Sequence, residues 1–248
     1  MKKICFVVSS FYTVNGFLLN HIARLSELHE VTVIANTNNR QFAPDERVNY
    51  ELLSVPLERD IHPLNDARAL IALVWLFRKR NFDIVHSVTP KAGLLSMSAA
   101  RLARVPIRVH TFTGQVWVTR AGVMRRLLKQ ADRALAHAAT HILVDSFSQR
   151  DFLIRERVVE PDKARVLANG SINGVDVDRF QPDGEQRSRI RSENNIPDDA
   201  IVYLFLGRLN QDKGLIDLTV AFRRLCEKHE NAYLMIVGRD EGNMQPII

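Results

Sequence analysis

The chain has 248 residues, 46% of them apolar and 25% charged, an ordinary globular composition that excludes disordered, collagenous and disulfide-scaffold classes. No apolar run reaches the ~18 residues of a membrane-spanning helix. The net charge of +6 points to an anionic partner such as nucleic acid, phospholipid or a phosphorylated substrate. That charge is unevenly placed: residues 1–169 carry +9 and residues 170–248 carry −3. Residues 101–133 alone hold eight cations and one acid, Asp132.

The first strand follows Met1-Lys2-Lys3, where an apolar stretch of about five residues is shorter than the ~7–15 of a secretory signal. Further strands are expected near 30–35, 50–55, 84–86, 107–112, 142–144 and 165–167, the first lying near 4–9; most are rich in Val and Ile. Between them run helical patterns over 16–28, 65–80, 92–103, 122–138 and 146–156. Such alternation is the pattern of a parallel sheet with crossover helices. Residues 67–77 are apolar almost all round, which reads as a buried helix or a membrane-surface helix, with burial preferred. Cys5 in the first strand and Cys226 in a late helix lack metal or disulfide spacing and read as reduced core thiols of a cytosolic protein.

Between residues 173 and 200, Gly174, Pro182, Gly184 and Pro197 surround a charged stretch at 186–191 that makes a short helix at most. The pattern then restarts with a strand at 201–206, a Gly-bearing loop, a helix over 215–228 and a strand at 232–237. The expected domains are 1–173, Rossmann-like and complete; 174–199, a linker; and 200–248, the start of a second Rossmann-like domain. Two strands and one helix cannot close such a sheet, so an unpaired edge and exposed apolar surface are expected there.

The strongest local feature is Gly207-Arg208-Leu209-Asn210-Gln211-Asp212-Lys213-Gly214 between a strand and a helix. A glycine turn entering a helix offers backbone donors and a positive dipole to an anion. Arg208 and Lys213 suit a diphosphate, although a solvated turn with ordinary surface charges fits the same residues. It is not a Walker loop, lacking the Gly-Lys-Ser/Thr ending. Asn15 and Gly16, after the first strand, mark either a ligand crevice at the sheet's C-terminal edge or a plain turn. Lys91 sits before an apolar helix whose N-terminus could share an acceptor diphosphate with it, or is simply exposed. Arg120, Arg125, Arg126, Lys129 and Arg133 share a helical pattern with Val123, Leu127, Leu128 and Leu135. Such a helix docks on anionic lipid or presents a solvated face. Nucleic acid is not an expected partner, because the basic stretch carries no recognisable module and no aromatic interleaving.

Taken together, Gly207-Arg208-Leu209 with Lys213-Gly214, Asn173-Gly174-Val175-Asp176 with Phe180 and Pro182, and Asp83-Ile84-Val85-His86 resemble glycosyltransferase family 4, the retaining GT-B enzymes. Pro90-Lys91-Ala92-Gly93 and the segment from Arg108 to Gly114 resemble bacterial members that extend polyprenyl-diphosphate-linked sugars for capsule, O-antigen or glycoprotein glycans. The resemblance implies a GT-B fold and hexosyl transfer with retention from a nucleotide sugar, a UDP-sugar, to a lipid-linked saccharide, without metal or organic cofactor. It implies that Arg208 and Lys213 hold the donor diphosphate in the cleft between the domains. By the same resemblance His110 lies near the donor sugar as a catalytic residue, while Asn15, Gly16, His86 and Lys91 belong to the acceptor side or cleft. A lone strand histidine is, on residue statistics, more often a core residue, and His86 fits packing beneath a cleft equally. A cytoplasmic enzyme peripheral to the inner face of the membrane is expected. Leu206 stands where the family has a second glycine. The family's Glu-x7-Glu segment would lie beyond Ile248, and Glu241 is not that motif, so a truncated chain or one half of a split enzyme is expected. The alternative is a non-catalytic, membrane-associated binding subunit of such a split enzyme.

Overall fold

In the computed structural model, which describes residues 1–37, 48–57 and 62–248, all strand pairings are parallel. The chain divides into two units, Met1–Val175 and Asp176–Ile248. The first holds β1 (Lys3–Val7), β2 (Glu30–Ala35), β3 (Glu51–Ser54), β4 (Ile84–Ser87), β5 (Ile107–Phe112), β6 (His141–Val144) and β7 (Ala164–Val166), in the order β3-β2-β1-β4-β5-β6-β7. The chain winds outward from β1 to β3, then returns to β4 and proceeds the other way. The switch point therefore lies between β1 and β4, where open α/β sheets place their ligand crevice.

Successive strand residues point to opposite faces, which gives the sheet two cores. Phe6 and Val33 face one side, where they meet Phe11, Val14, Leu18 and Ile22. Val7 and Ile34 face the other, with Leu73, Phe77, Met97 and Leu135. The first side is covered by α1 (Phe11–Thr13), a π-helical turn (Val14–Leu18) and α2 (Leu19–Ser26). A single helix over 16–28 was the expectation. Burial of Phe11 and Val14 against the sheet draws the start forward and widens the chain into the π turn.

The second side is covered by α3 (Pro63–Arg80), α4 (Pro90–Leu102), α5 (Gly122–Ala138) and α6 (Phe147–Arg155). Pro63 and Pro90 take the first helical positions, so α3 and α4 begin two residues before the expected starts. Proline suits that place because its missing N–H has no intrahelical partner there and its φ is already helical. The preference for a buried helix at 67–77 is corrected: only the stripe Ala69, Leu73 and Phe77 is buried, while Ile71 and Trp75 face solvent. One stripe suffices because α3 lies against the sheet on one side only. Among the described residues, no helix is long and apolar enough to cross a membrane.

The second unit contains α7 (Gly184–Glu193), β8 (Ile201–Leu206), a 3-10 turn (Gln211–Lys213), α8 (Leu215–Cys226) and β9 (Ala232–Val237). Asp183 caps α7 by accepting from the Gln186 amide at 3.0 Å. The buried Arg191 donates to the carbonyls of Pro197 and Ala200, tying α7 to the start of β8. The core is small, Leu209, Leu215 and Met244 with Phe205, Leu218 and Ile236 against them. Among the described residues β8 pairs only with β9, and Ile201, Leu204 and Leu206 stay exposed. Cys5 is buried, whereas Cys226, at the end of α8, is exposed and is not a core thiol.

Candidate functional site

At the switch point of the first unit, the loops after β1 and β4 are tied together by the Ser9 amide, which donates to Thr89 Oγ1 at 3.1 Å. Asn15 and Gly16 lie in the π turn above and are exposed. A β-carbon on Gly16 would meet nothing within 4 Å, so the space in front of that backbone is open. The Gly16 carbonyl accepts from Asn173 Nδ2 at 3.3 Å, and Asn20 donates to Asn173 Oδ1 at 3.4 Å. Asn173 thus straps the segment after β7 onto the π turn and α2.

Beneath that strap is a cavity of about 270 Å³ lined by Leu18, His21, His86, Thr111, Asp145 and Ile172, among others. His86 Nε2 and Thr111 Oγ1 are 2.8 Å apart, and burial, followed by the nearby His21, lowers the His86 pKa to about 4. His86 is therefore neutral at pH 7 and presents a hydrogen-bonding imidazole to the cavity. His21 Nε2 lies 2.6 Å from the Ile172 carbonyl, to which it donates. Burial raises the Asp145 pKa, and its Oδ1 is buried without a hydrogen-bond partner among the described residues. His21 and Asp145 escaped the sequence reading. Asp145 immediately follows β6 and offered a strand-end signal; His21 offered none, because the strap that brings it in comes from far along the chain.

His110 is placed elsewhere. Residues 110 and 112 of β5 point to the α4 side and Thr111 to the cavity, so His110 is entirely buried. Its Nδ1 lies 2.8 Å from Ser87 Oγ, and its ring meets Phe112 edge-on at 4.6 Å. Burial, then His86, lowers its pKa to about 3. The catalytic expectation is corrected to a neutral core histidine. Lys91 is neither exposed nor free to hold a diphosphate: its ammonium sits 2.6 Å from Asp66 of α3, both side chains largely covered.

The five cations on and before α5 divide. Lys129 Nζ pairs with Glu156 at 2.6 Å and stands over the Trp117 ring, and Arg133 donates to the carbonyls of Arg157 and Glu156. Arg125 also lies over Trp117, at 5.7 Å. These three reach back to the segment after α6 or onto Trp117, because α5 packs with that edge inward; as a five-cation docking face the expectation is corrected. Arg120 and Arg126 are exposed, with no side-chain hydrogen bond or ion pair among the described residues.

In the second unit, Gly207, Arg208 and Leu209 leave β8, and Gly214 takes the left-handed conformation (φ +70°) at the start of α8. Among the described residues no side chain caps α8 at Gly214, and the first amides of a helix are the groups that an anion can accept from. Lys213 is exposed one residue earlier. Arg208 Nη1 donates to Glu241 Oε2 at 2.9 Å, a partner the sequence reading did not assign to it. Glu241 is presented by a tight turn in which the Met244, Gln245 and Gly242 amides donate to Asp240, holding that carboxyl below the usual range. Among the described residues, no three His, Cys, Asp or Glu side chains are grouped as metal ligands.

Residues 14–179 match the family model described as Glycosyltransferase Family 4, and residues 186–246 match that of Glycosyl transferases group 1. The chain is 31% identical over 184 residues to the capsular polysaccharide biosynthesis glycosyltransferase CapM of Staphylococcus aureus, a match covering 74% of this chain and 48% of that protein. It is 29% identical over 189 residues to the UDP-Gal:alpha-D-GlcNAc-diphosphoundecaprenol alpha-1,3-galactosyltransferase of Escherichia coli, covering 74% and 47%. The chain thus spans about half the length of these relatives. The structure superposes on Anabaena HepE, solved with UDP and glucose, with a TM-score of 0.69 at 14% identity over 99% of this chain and 63% of that one. The fold is of the GT-B type, with Rossmann-like α/β units.

Proposed function

This chain belongs to glycosyltransferase family 4, and from that premise we propose that it transfers a hexose from a nucleotide sugar to a lipid-linked saccharide in surface polysaccharide biosynthesis, with retention of anomeric configuration. The observation that carries the reading is the β8–turn–α8 arrangement, which brings Arg208, paired with Glu241, and Lys213 onto one turn at the N-terminus of α8. A nucleoside diphosphate leaving group gains negative charge in the transition state, and fixed donors and cations on that turn offset it. With retention, departure and attack share one face of the sugar, assisted by the donor phosphate. The names of the S. aureus and E. coli relatives support the polysaccharide and lipid-diphosphate parts, and HepE with UDP supports a UDP-sugar donor. On the acceptor side the reading uses Asn15, Gly16 and the His86 cavity; Lys91, already balanced by Asp66, and the buried His110 are not used. Peripheral contact with an anionic membrane on the cytoplasmic side follows from a lipid-linked acceptor.

Calorimetric titration of the 248-residue chain with UDP and UDP-N-acetylhexosamines tests the donor turn. Binding that is lost in the Arg208→Ala, Lys213→Ala variant supports it; binding unchanged in that variant overturns it. Transfer is tested by incubating the protein with UDP-sugars and polyprenyl-diphosphate-linked acceptors and reading product mass and anomeric configuration. An inverted product overturns the stereochemical part alone.

A further inference from the structure

Asp145 is fixed through its backbone rather than through its carboxyl. Its amide donates to Gln149 Oε1 at 2.8 Å, and its carbonyl accepts from the Ser171 amide at 2.7 Å. Gly170 brings the second bond within reach: at φ +98° it passes so close that a β-carbon on it would collide with the Asp145 carbonyl oxygen. The segment after β7 is thereby drawn over Asp145, and the carboxyl takes no part in holding it there. Asp145 Oδ1 stays buried with no donor among the described residues. Such an oxygen is a cost to the folded protein that a ligand hydroxyl would remove.

Strand alternation sets this carboxyl in a row with two other polar groups. Thr111 of β5 and Leu143 of β6 are register partners, and residues 143 and 145 share a side, so Asp145 stands one pleat beyond that pair. His86, on the strand at the other side of β5, reaches Thr111 at 2.8 Å. Whichever of the two supplies the proton of that bond, Thr111 Oγ1 keeps acceptor capacity. The cavity lining contains no lysine or arginine among the described residues, while Asp145 brings a carboxylate and Leu18, Leu143 and Ile172 bring apolar surface. A phosphate finds no counter-charge there, whereas a sugar offers hydroxyl donors to the oxygens and C–H faces to the leucines. At about 270 Å³ the cavity is just under the ~300–1,000 Å³ of sites for drug-sized ligands, which suits one ring rather than a chain of them.

We infer that Asp145 is a specificity-determining residue, its Oδ1 accepting a hydrogen bond from a hydroxyl of an uncharged pyranose seated beneath the strap. The inference deepens the acceptor side of the transferase reading and rests on it: the seated ring is the terminal sugar of the acceptor, and the acceptor's diphosphate lies outside this cavity. A hydrogen bond to a carboxylate is stronger than one between neutral groups. A buried acceptor left unpaired rejects an analogue that lacks the matching hydroxyl, so Asp145 reads the presence of that hydroxyl.

The test is saturation-transfer NMR and calorimetry of the 248-residue chain with the methyl glycosides of glucose, galactose, N-acetylglucosamine and N-acetylgalactosamine, with no donor or lipid present. At least one glycoside should bind at millimolar concentration, and Asp145→Ala should weaken that binding by about tenfold or more, with Asp145→Asn, which keeps a neutral acceptor, falling between. The melting temperature of either unliganded variant should equal or exceed that of the wild type, because the unpaired carboxyl stabilises nothing in the empty protein. One monodeoxy form of the bound glycoside should lose about tenfold on the wild type and nothing further on Asp145→Ala, a coupling that a structural role does not produce and that probes the contact from the ligand side. Failure of all four glycosides to bind overturns the inference, as does binding that Asp145→Ala leaves unchanged or a melting temperature that both variants lower. Displacement of the glycoside by pyrophosphate overturns the uncharged class. Binding through Asp145 without transfer from UDP-sugars overturns the transferase reading instead and leaves the sugar site standing.

Discussion

The imidazole of His110 occupies the space that a β-carbon on residue 93 would need: that atom would lie 2.5 Å from His110 Cε1 and 2.8 Å from Leu135 Cδ1. Gly93, on α4, is therefore the residue that lets a histidine sit between the sheet and its helices. Gly93→Ala is expected to destabilise the protein by about 1–3 kcal/mol through overpacking, because both neighbours are buried and cannot move aside. Chemical denaturation measures it, and a loss below about 0.5 kcal/mol would mean that His110 is free to swing elsewhere.

Acid should destabilise the first unit. His110 and His86 have native pKa values of about 3 and 4 against an ordinary 6.5, so the unfolded chain binds more protons as the pH falls below 6.5. Their contribution is complete above that value and is lost toward pH 4. Asp132 opposes this. Burial raises its carboxyl to about 6 against 3.8, so its contribution is present below 3.8 and lost as the pH rises through 6. Between pH 6 and 4 these three groups together leave a difference of about one net proton, a slope of about 1.4 kcal/mol per pH unit from them alone, less stable toward acid. Asp132→Asn keeps an acceptor for Trp117 and removes the opposing group, so its thermal unfolding should show a steeper acid limb than the wild type. Parallel limbs would place Asp132 outside the titration.

The pairing of Lys91 with Asp66 joins the starts of α4 and α3. A double-mutant cycle of Lys91→Ala and Asp66→Ala should give a coupling of about 1 kcal/mol, larger than most exposed pairs because both side chains are largely covered. Additive effects in urea melts would show that the lysine spends its time away from the aspartate, available to a ligand.

Glu241 competes with a diphosphate for Arg208 on the proposed reading, since it already holds one guanidinium nitrogen. Glu241→Gln removes that charge while leaving the turn built on Asp240 in place. UDP affinity by calorimetry should tighten by about three- to fivefold, the equivalent of the ~1 kcal/mol that an exposed ion pair is worth. Weaker binding would instead make Glu241 the group that orients Arg208 toward its ligand.

Much of this molecule was legible in the amino-acid sequence. Runs of Val and Ile separated by helical periodicity determine a parallel sheet with crossover helices, and the break after residue 173 is marked by Gly and Pro. The glycine turn before α8 and its two cations are local patterns, and they fold where their local chemistry directs. What only tertiary structure decided is which face each residue meets. Alternation along β5 separates His110 from Thr111 but does not say which side carries four helices and which carries the cavity. Lys91 and Asp66, 25 residues apart, and Arg208 and Glu241, 33 apart, meet only after the sheets assemble. Lys129 and Arg133 are turned inward by a neighbour that follows α6, and the outer stripe of α3 is left bare because a surface helix needs to bury only one side. Backbone period is a local property; the covering of a face depends on elements distant in the chain, and so do the charge partners and the exposed surface that give this protein its chemistry.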